Sequence, residues 1–421
     1  MNEYDSEIVK SILIRNDYSI VDAPEKADVI FLNTCSVREN AHNKVHQRLT
    51  VLKQLRQKNK KLVMGVLGCM AQNLKKELLE KKIGVDIVAG PDAYKKLPGM
   101  IDKVKGSGQK DFYLTLSEFE TYSDVFPAPE GGINAWVAVM RGCDNFCTFC
   151  VVPYTRGRER SRDPRNVVEE VERLVEKGYK QVSLLGQNVN SYRYEKYDFA
   201  DLMEMTSRVD GLERIRFTSP HPKDFPAKFL QLMAENPKIC KNIHLPLQAG
   251  NNRVLEMMNR TYTREEFLAL VEQIRKTVPD VVLTTDVIVG FPTETEAEFL
   301  DTLDVMKKVK FDAAFMFKYS ERKQTIASRK FPDDVSEQEK TSRITRLVEL
   351  QNQHSLERNQ AHLGRVFSVL VEGSGKKPQQ QLGRTDGNKI VVFPQTTVET
   401  GFFIDVKINE VTSHTLIGEA V

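Results

Sequence analysis

Cys143, Cys147 and Cys150 stand in the run RGCDNFCTFC, which places three thiols within one short loop. Gaps of three and then two residues suit three corners of an iron–sulfur cube better than a disulfide. Clusters that only carry electrons have every iron capped by cysteine, so a three-ligand loop leaves one iron open to a substrate or cofactor. Open catalytic zinc sites differ from closed structural ones in the same way. A zinc knuckle, or a chance grouping, is the competing account of C-x3-C-x2-C. Two further cysteines, Cys35 in FLNTCSVRENA and Cys69 in VLGCMAQ, each follow an apolar run. Either one alone reads as an ordinary buried cysteine. Cys240, which has no partner motif, reads as structural.

The elements that must position these thiols divide the chain into three. From Asp28 to about Lys105 the runs VIFLNT, KLVMGVLG and VDIVAG alternate with helical stretches beginning near Arg38, Gln72 and Asp92. That alternation predicts a doubly wound parallel α/β domain over 1–105, with Cys35 and Cys69 at strand ends that face one crevice. Residues 106–132, which contain KGSGQK and FPAPEGG, read as a linker or long loop. Six strand candidates follow, at 135–140, 181–185, 214–218, 242–247, 281–289 and 313–319, separated by helical segments. They predict a partial (βα)6 barrel over 133–358, with its chemistry at the C-terminal ends of the strands. The cysteine loop directly follows the first of them. Gln187, Asn188, Ser219, His221, His244, Gln248 and Asp286 also end or follow barrel strands, so by position they face the barrel mouth. The competing account is that some of them only satisfy loop backbone groups. After a long charged helix, near 336–362, five short β-rich runs within 359–421 predict a small barrel of OB type.

Composition narrows the class further. A chain of 421 residues exceeds what one core usually serves, and 40% apolar content is ordinary for soluble enzymes. The first residues, MNEYDSEIVK, are polar, and no uncharged apolar run approaches the roughly 20 residues that span a bilayer. A membrane role is not expected. Six cysteines, three of them clustered, fit the reducing cytoplasm, where thiols stay available for metal. With a net charge of only +3, any polyanion-binding surface must come from local patches.

The aromatic residue before Cys150 completes C-x3-C-x-aromatic-C, a pattern that resembles the radical S-adenosylmethionine (SAM) superfamily. The order NTCSVREN, GCMAQ, RGCDNFCTFCVVPYTRGRERSR and a C-terminal β module is similar, across essentially the whole chain, to the methylthiotransferases of that superfamily. Their plan is an N-terminal domain with a second cluster, a radical SAM core and an RNA-binding TRAM domain. The resemblance implies two 4Fe-4S clusters, one on Cys143, Cys147 and Cys150, the other on Cys35 and Cys69. It also implies two SAM molecules per turnover, one to methylate sulfur and one cleaved to a 5'-deoxyadenosyl radical. Phe149 is expected beside the SAM adenine, and Gln187, Asn188, Ser219, His244, Gln248 and Asp286 along the SAM and base pockets. NTCSVRENA and MNEYDSE resemble the branch that methylthiolates prenylated adenosine beside the tRNA anticodon. A sister branch acts on threonylcarbamoyl-adenosine, and a non-catalytic RNA-binding iron–sulfur protein is the alternative outside enzymes.

The resemblance also marks departures. The family's second cluster takes a third cysteine from a G-C-Q-M-N-E-Y-D-S-E type run, whereas this chain opens at MNEYDSE, with 3–14 already reading as a helix. A missing N-terminal strand and cysteine are therefore expected. YSERKQTIA carries Lys323 and Gln324 where the family has Pro-Gly or Pro-Asn, so a different turn is expected there. Gly290 and Pro292 read as loop-shaping residues. For RNA, Arg156, Arg158, Arg160, Arg162 and Arg165 crowd the segment after the cysteine loop, with pairing to Glu159 and Asp163 as the competing account. Lys376, Lys377, Arg384 and Lys389 lie at C-terminal turns, with Phe393, Phe402 and Phe403 available for stacking or core. The implied partners are a prenylated tRNA anticodon stem-loop and an electron donor such as flavodoxin or ferredoxin, acting on a monomer.

Overall fold

The computed structural model describes residues 1–35, 39–74, 77–80, 84–129 and 131–421, so the helix start expected near Arg38 lies outside the described residues. The chain forms two compact units. The first comprises residues 1–130, 140–146 and 150–163, and the second comprises 131–139, 147–149 and 164–421.

In the first unit, strands β1 (Val29–Thr34), β2 (Val63–Gly68), β3 (Ile87–Ala89) and β4 (Asp111–Tyr113) pair in parallel and in chain order. Every residue of β2 is buried, as a parallel strand covered on both faces requires. Helix Glu39–Lys58 joins β1 to β2, and Leu49 and Leu52 from it meet Met64, Val66 and Val88 in the core. The strand β4 corrects the expectation of a linker at 106–132. Its Gly-rich start ends helix Leu97–Ser107 at Gly108, whose φ is +70°, and apolar residues beyond that point fold into the sheet and its core. Tyr122 is fully buried, stacks on Tyr94 at 5.5 Å, donates its hydroxyl to Pro91 O at 2.9 Å and accepts from Tyr94 N at 3.0 Å.

The second unit contains the six expected parallel strands: β5 (Asn134–Ala138), β6 (Gln181–Leu185), β7 (Arg214–Phe217), β8 (Asn242–His244), β9 (Val282–Val289) and β10 (Ala313–Lys318). They form two three-stranded sheets, β7-β6-β5 and β8-β9-β10. A single parallel bridge, Ile215 to Ile239, links the halves, because β8 begins only at Asn242, after a local bond from Asn242 N to Cys240 O. Capping boxes fix where the covering helices start. Thr263 with Glu266 opens Arg264–Thr277, Thr295 with Glu298 opens Glu296–Val309, and Ser336 with Glu339 opens Glu337–Gln360.

The last five strands, β11 (Val366–Ser374), β12 (Gln380–Arg384), β13 (Ile390–Pro394), β14 (Phe403–Val411) and β15 (Leu416–Ala420), close into a barrel in the order β11-β12-β13-β15-β14. Val369, Val371, Val391, Phe393, Val406, Ile408 and Leu416 fill it. The boundary expected at 358/359 is not a free linker, since helix Glu337–Gln360 runs through it and Asn359 donates to Thr412 O at 2.8 Å. The small barrel is also clamped through its backbone. Arg214 donates to Arg384 O and Ser368 O at 2.7 and 2.9 Å, and Arg216 donates to Asp386 O and Thr385 O at 2.8 Å each. Buried Asp312 pairs with Lys389 at 2.8 Å and Arg358 at 3.4 Å, and accepts from Leu283 N at 3.0 Å. Burial opposes its charge, but the two cations outweigh it and hold the carboxyl below its ordinary value.

Among the described residues no helix is long and apolar enough to cross a membrane. Substituting Asp312→Ala leaves partly exposed Lys389 and Arg358 without their buried carboxylate and should lower stability by about 3 kcal/mol, read as a drop in the urea unfolding midpoint.

Candidate functional site

Parallel register decides where Cys35 and Cys69 fall. Thr34 pairs with Gly68, so the next residue on each strand is a cysteine, and the two leave neighbouring strand ends together. Gly68 holds φ at +87°, and a Cβ there would lie 2.6 Å from Asn33 Oδ1. Only glycine turns the chain at this point. Cys69 then opens the short helix Cys69–Leu74 and is buried, while Cys35 is half-buried. Burial pushes the Cys69 thiol up, and the guanidinium of Arg156 beside it pulls in the opposite direction.

That guanidinium belongs to a buried triad. Asp5, on helix Asn2–Ile14, is fully buried and accepts from Arg141 Nη2 at 2.7 Å and Arg156 Nη2 at 2.6 Å. Burial disfavours the carboxylate, yet the two arginines hold its pKa below the ordinary value. Tyr94 donates to it at 3.4 Å, and Arg141 lies over the Tyr122 ring at 4.6 Å. Arg141 Nε and Nη1 and Arg156 Nη1 have no hydrogen-bond partner among the described residues.

The cysteine loop begins at Gly142, whose φ is +80° and where a Cβ would meet Arg158 O at 1.9 Å. Within the first unit, Cys143 N donates to Gly157 O at 3.2 Å, and Cys150 Sγ accepts from Val152 N at 3.4 Å. Within the second unit, Cys147 Sγ accepts from Arg260 Nη1 at 3.3 Å. Arg260 is buried and also donates to Tyr262 Oη at 3.1 Å and Pro246 O at 3.3 Å. Thr148 anchors the same stretch through its N to Met258 O at 3.0 Å and its hydroxyl to Met257 O at 2.8 Å, ahead of half-buried Phe149. Arg260 is the residue that reasoning from the sequence missed. Its only signal is its place in MNRTYTREE, just before a helix-capping Thr263.

Among the barrel residues, the structure brings His244, Asp286 and Gln248 together. His244 Nε2 lies 3.2 Å from Asp286 Oδ2, and its Nδ1 lies 3.0 Å from Thr284 Oγ1. Gln248 N donates to Asp286 O at 2.8 Å, with φ at +66°. Asn188 and Ser219 are neighbours through Val189 N, which donates to Ser219 O at 3.2 Å. Asn188 Nδ2 donates to Asp224 at 2.9 Å. Gln187 Oε1, Asn188 Oδ1 and Gln248 Oε1 are buried with no partner among the described residues. His221 is buried against Tyr262, and its Nδ1 accepts from Lys223 N at 3.3 Å. Gln324 takes φ of +75°, the left-handed position that glycine or asparagine ordinarily fills, so the KQ turn keeps a sharp bend.

The basic run needs correction. Arg156 and Arg160, expected to face RNA, are buried and committed, Arg156 to Asp5 and Arg160 to Asp92 at 2.9 Å. Arg162 is also buried, with Tyr4 Oη 3.1 Å away. Arg158 and Arg165 are exposed, Arg158 near Asp144 at 3.4 Å. In the small barrel Lys376 and Lys377 are exposed, Lys389 is held by Asp312, and Arg384 pairs with Glu372 at 3.1 Å. Phe393 is core, Phe403 lies under Arg214 at 4.7 Å, and Phe402 is exposed.

Comparison with known proteins agrees with this layout. Residues 137–306 match the Radical SAM superfamily, 1–90 the uncharacterized protein family UPF0004, and 360–421 the TRAM domain. The tRNA-2-methylthio-N(6)-dimethylallyladenosine synthases of Bacteroides fragilis and Bacteroides thetaiotaomicron are each 47% identical over 429 residues, spanning all of this chain and 93% and 94% of theirs. The chain belongs to the tRNA-2-methylthio-N(6)-dimethylallyladenosine synthase family. The synthase of Chloroherpeton thalassium is 45% identical over 424 residues, covering 94% of that protein. Among solved structures, the radical SAM methyltransferase TsrM of Kitasatospora setae, with cobalamin and a [4Fe-4S] cluster bound, matches at TM-score 0.58 and 14% identity over 91% of this chain and 78% of its own. OxsB, a cobalamin-dependent radical SAM enzyme, matches at 0.55 and 11% over 77% and 51%. Both show the fold.

Superfamily membership implies a 4Fe-4S cluster and SAM for this synthase family. Among the described residues no three His, Cys, Asp or Glu side chains converge as a ready-made metal site. The sulfur environments nevertheless fit an iron–sulfur group. Cys147 and Cys150 each receive an N–H and Cys69 lies beside a guanidinium, the kind of support that stabilises ligating thiolates.

Burial, with Arg260 and Lys223 nearby, pulls the His221 pKa from 6.5 down to about 2. A depressed histidine contributes stability that is present above the unfolded value and lost as pH falls below it. Between pH 7.5 and 5.5 this ring alone should remove about 1.4 kcal/mol of stability, a loss absent from His221→Asn in urea titrations.

Proposed function

We propose that this chain replaces the C2 hydrogen of N6-dimethylallyladenosine in tRNA with a methylthio group. Full-length identity of 47% to synthases named for that product, with the C-x3-C-x2-C loop leading off the first barrel strand, carries the reading. When bound, a 4Fe-4S cluster and SAM supply one-electron cleavage of SAM and removal of an unactivated aromatic hydrogen, while a second SAM supplies the methyl group. Cys143, Cys147 and Cys150 would hold that cluster. Cys35 and Cys69 would supply ligands to a second.

The protein's own groups hold, orient and exclude water. Arg260 donates to Cys147 Sγ and so orients that sulfur in a buried setting. The acceptors Gln187 Oε1, Asn188 Oδ1 and Gln248 Oε1, which lack protein partners, would take the donors of the SAM ammonium and ribose. Phe149 would line the adenine. His244 is fixed between Asp286 and Thr284, so its ring is set before any ligand arrives, and Ser219, with φ at +59°, shapes the adjoining loop. For RNA, Arg158, Lys376, Lys377 and Arg384 would neutralise phosphates, with Phe402 exposed for stacking. The reading places a cytoplasmic monomer between an electron donor such as flavodoxin or ferredoxin and the prenylated anticodon stem-loop.

The test is anaerobic reconstitution with iron and sulfide, then SAM, dithionite and prenylated tRNA, with both products quantified by mass spectrometry. Wild type should yield 5'-deoxyadenosine and methylthiolated nucleoside. Cys143→Ala should lose both by at least about 100-fold, whereas Cys35→Ala or Cys69→Ala should keep the first and lose the second. Undiminished deoxyadenosine from Cys143→Ala would overturn the cluster assignment. Turnover confined to threonylcarbamoyl-adenosine tRNA would move the chain to the sister reaction, and tRNA binding without SAM cleavage would make it an RNA-binding protein.

A further inference from the structure

In the first unit, one carboxylate faces two arginines. Asp5, Arg141 and Arg156 are 0%, 1% and 5% exposed, and each arginine gives Asp5 a single donor. The triad therefore carries one excess positive charge in a buried place, with Arg141 Nε and Nη1 and Arg156 Nη1 left without partners among the described residues. Other charges nearby do not cancel it. Arg160 is balanced by Asp92 and also donates to Arg156 O at 2.8 Å, Tyr94 and Tyr122 are neutral phenols, and the Met1 amine beside the triad supplies no negative charge. A buried excess charge of this kind costs several kcal/mol unless an anion joins it. Two cysteine sulfurs lie on the elements packed beside it. Helix Val152–Arg156, which ends in Arg156, packs on helix Cys69–Leu74, which Cys69 opens, and Asn33, two residues before Cys35, donates to Asn2 O at 2.8 Å at the start of the helix that carries Asp5.

We propose that the Asp5–Arg141–Arg156 triad is the built-in counter-charge of an anionic iron–sulfur group carried on Cys35 and Cys69, setting its charge balance and reduction potential. This deepens the second-cluster part of the proposed function and rests on it. Arg141 and Arg156 act as positioning residues, with Asp5 as the brace that fixes both guanidiniums and trims their net charge from two to one. A positive charge beside a cluster favours its more negative, reduced state, so the potential should follow the charge of the triad. Cluster binding and potential then depend on three residues that are not themselves ligands.

The test uses the full chain with Cys143→Ala, Cys147→Ala and Cys150→Ala combined, so that any reconstituted cluster is the second one. Iron content and the midpoint potential are read by EPR-monitored redox titration. Arg156→Gln should move the midpoint to more negative potential, Asp5→Asn should move it to more positive potential, and Arg156→Lys, which keeps the charge, should stay near the parent. Near-ultraviolet circular dichroism checks the fold of each variant. Opposite shifts from the two charge changes support the counter-charge, because a merely structural role would move both the same way. Equal midpoints in all variants, or shifts of one sign, would overturn the inference while leaving the second cluster in place. A parent with no cluster signal would overturn the second-cluster reading itself, and the inference with it.

Discussion

Parallel pairing is the constraint from which the rest follows. Strands running the same way end at the same edge, so a residue one step past the last paired position lies beside its neighbour on the next strand. In the first unit this makes neighbours of Cys35 and Cys69, one position beyond the pair Thr34 and Gly68. In the second it aligns His244 with Thr284 on β8 and β9, and Asp286 with Phe315 on β9 and β10. No long-range contact has to be found separately for each group. The sheet register supplies it, and glycines at Gly68 and Gly142 let the chain turn where a side chain would collide with backbone.

What parallel pairing cannot supply is charge, and buried guanidiniums provide that. Arg260 in the second unit and Arg156 in the first each lie beside a cysteine sulfur. Desolvating an arginine is expensive, and hydrogen bonds to neutral groups only partly offset it. For Arg260, burial pulls against the charge, while Tyr262 and Cys147 raise its pKa above the ordinary value. Each arginine thus sets a charged donor against a cysteine sulfur.

The fold was largely legible because periodicity and turn chemistry are local. Strands predicted at 181–185 and 313–319 appear as Gln181–Leu185 and Ala313–Lys318, and the five C-terminal runs close into the expected barrel. The segment 106–132 misled for an equally local reason. Its ends carry the glycines and prolines of a linker, whereas the burial of Tyr122 and the pairing of β4 depend on residues far away in sequence. In the candidate site, spacing alone showed the cysteine loop leading off the first barrel strand, whereas pairings with remote partners were illegible. Arg160 finds Asp92 across 68 positions and Arg156 finds Asp5 across 151. Nothing in TRGRERSRDPR distinguishes a buried arginine from an exposed one, so in a run that reads as polyanion-binding Arg156, Arg160 and Arg162 become internal scaffolding, while Arg158 and Arg165 stay exposed.

The same logic explains why the small barrel is held by its backbone. Arg214 and Arg216 address carbonyl oxygens of residues 368 and 384 to 386, which any sequence would present, while the ion pairs Asp312–Lys389 and Asp280–Arg365 are sequence-specific. Carbonyl clamps fix the small barrel against β7 of the first three-stranded sheet without using up its surface side chains. Lys376 and Lys377 therefore remain exposed on the turn between β11 and β12, and Phe402 stays exposed ahead of β14. A module attached by a flexible tether would bring such groups to a polyanion at variable distance from the barrel strands. Held this way, the small barrel and the strand β7 share one fixed frame, and the exposed basic turn is carried on a clamped module, not a tethered one.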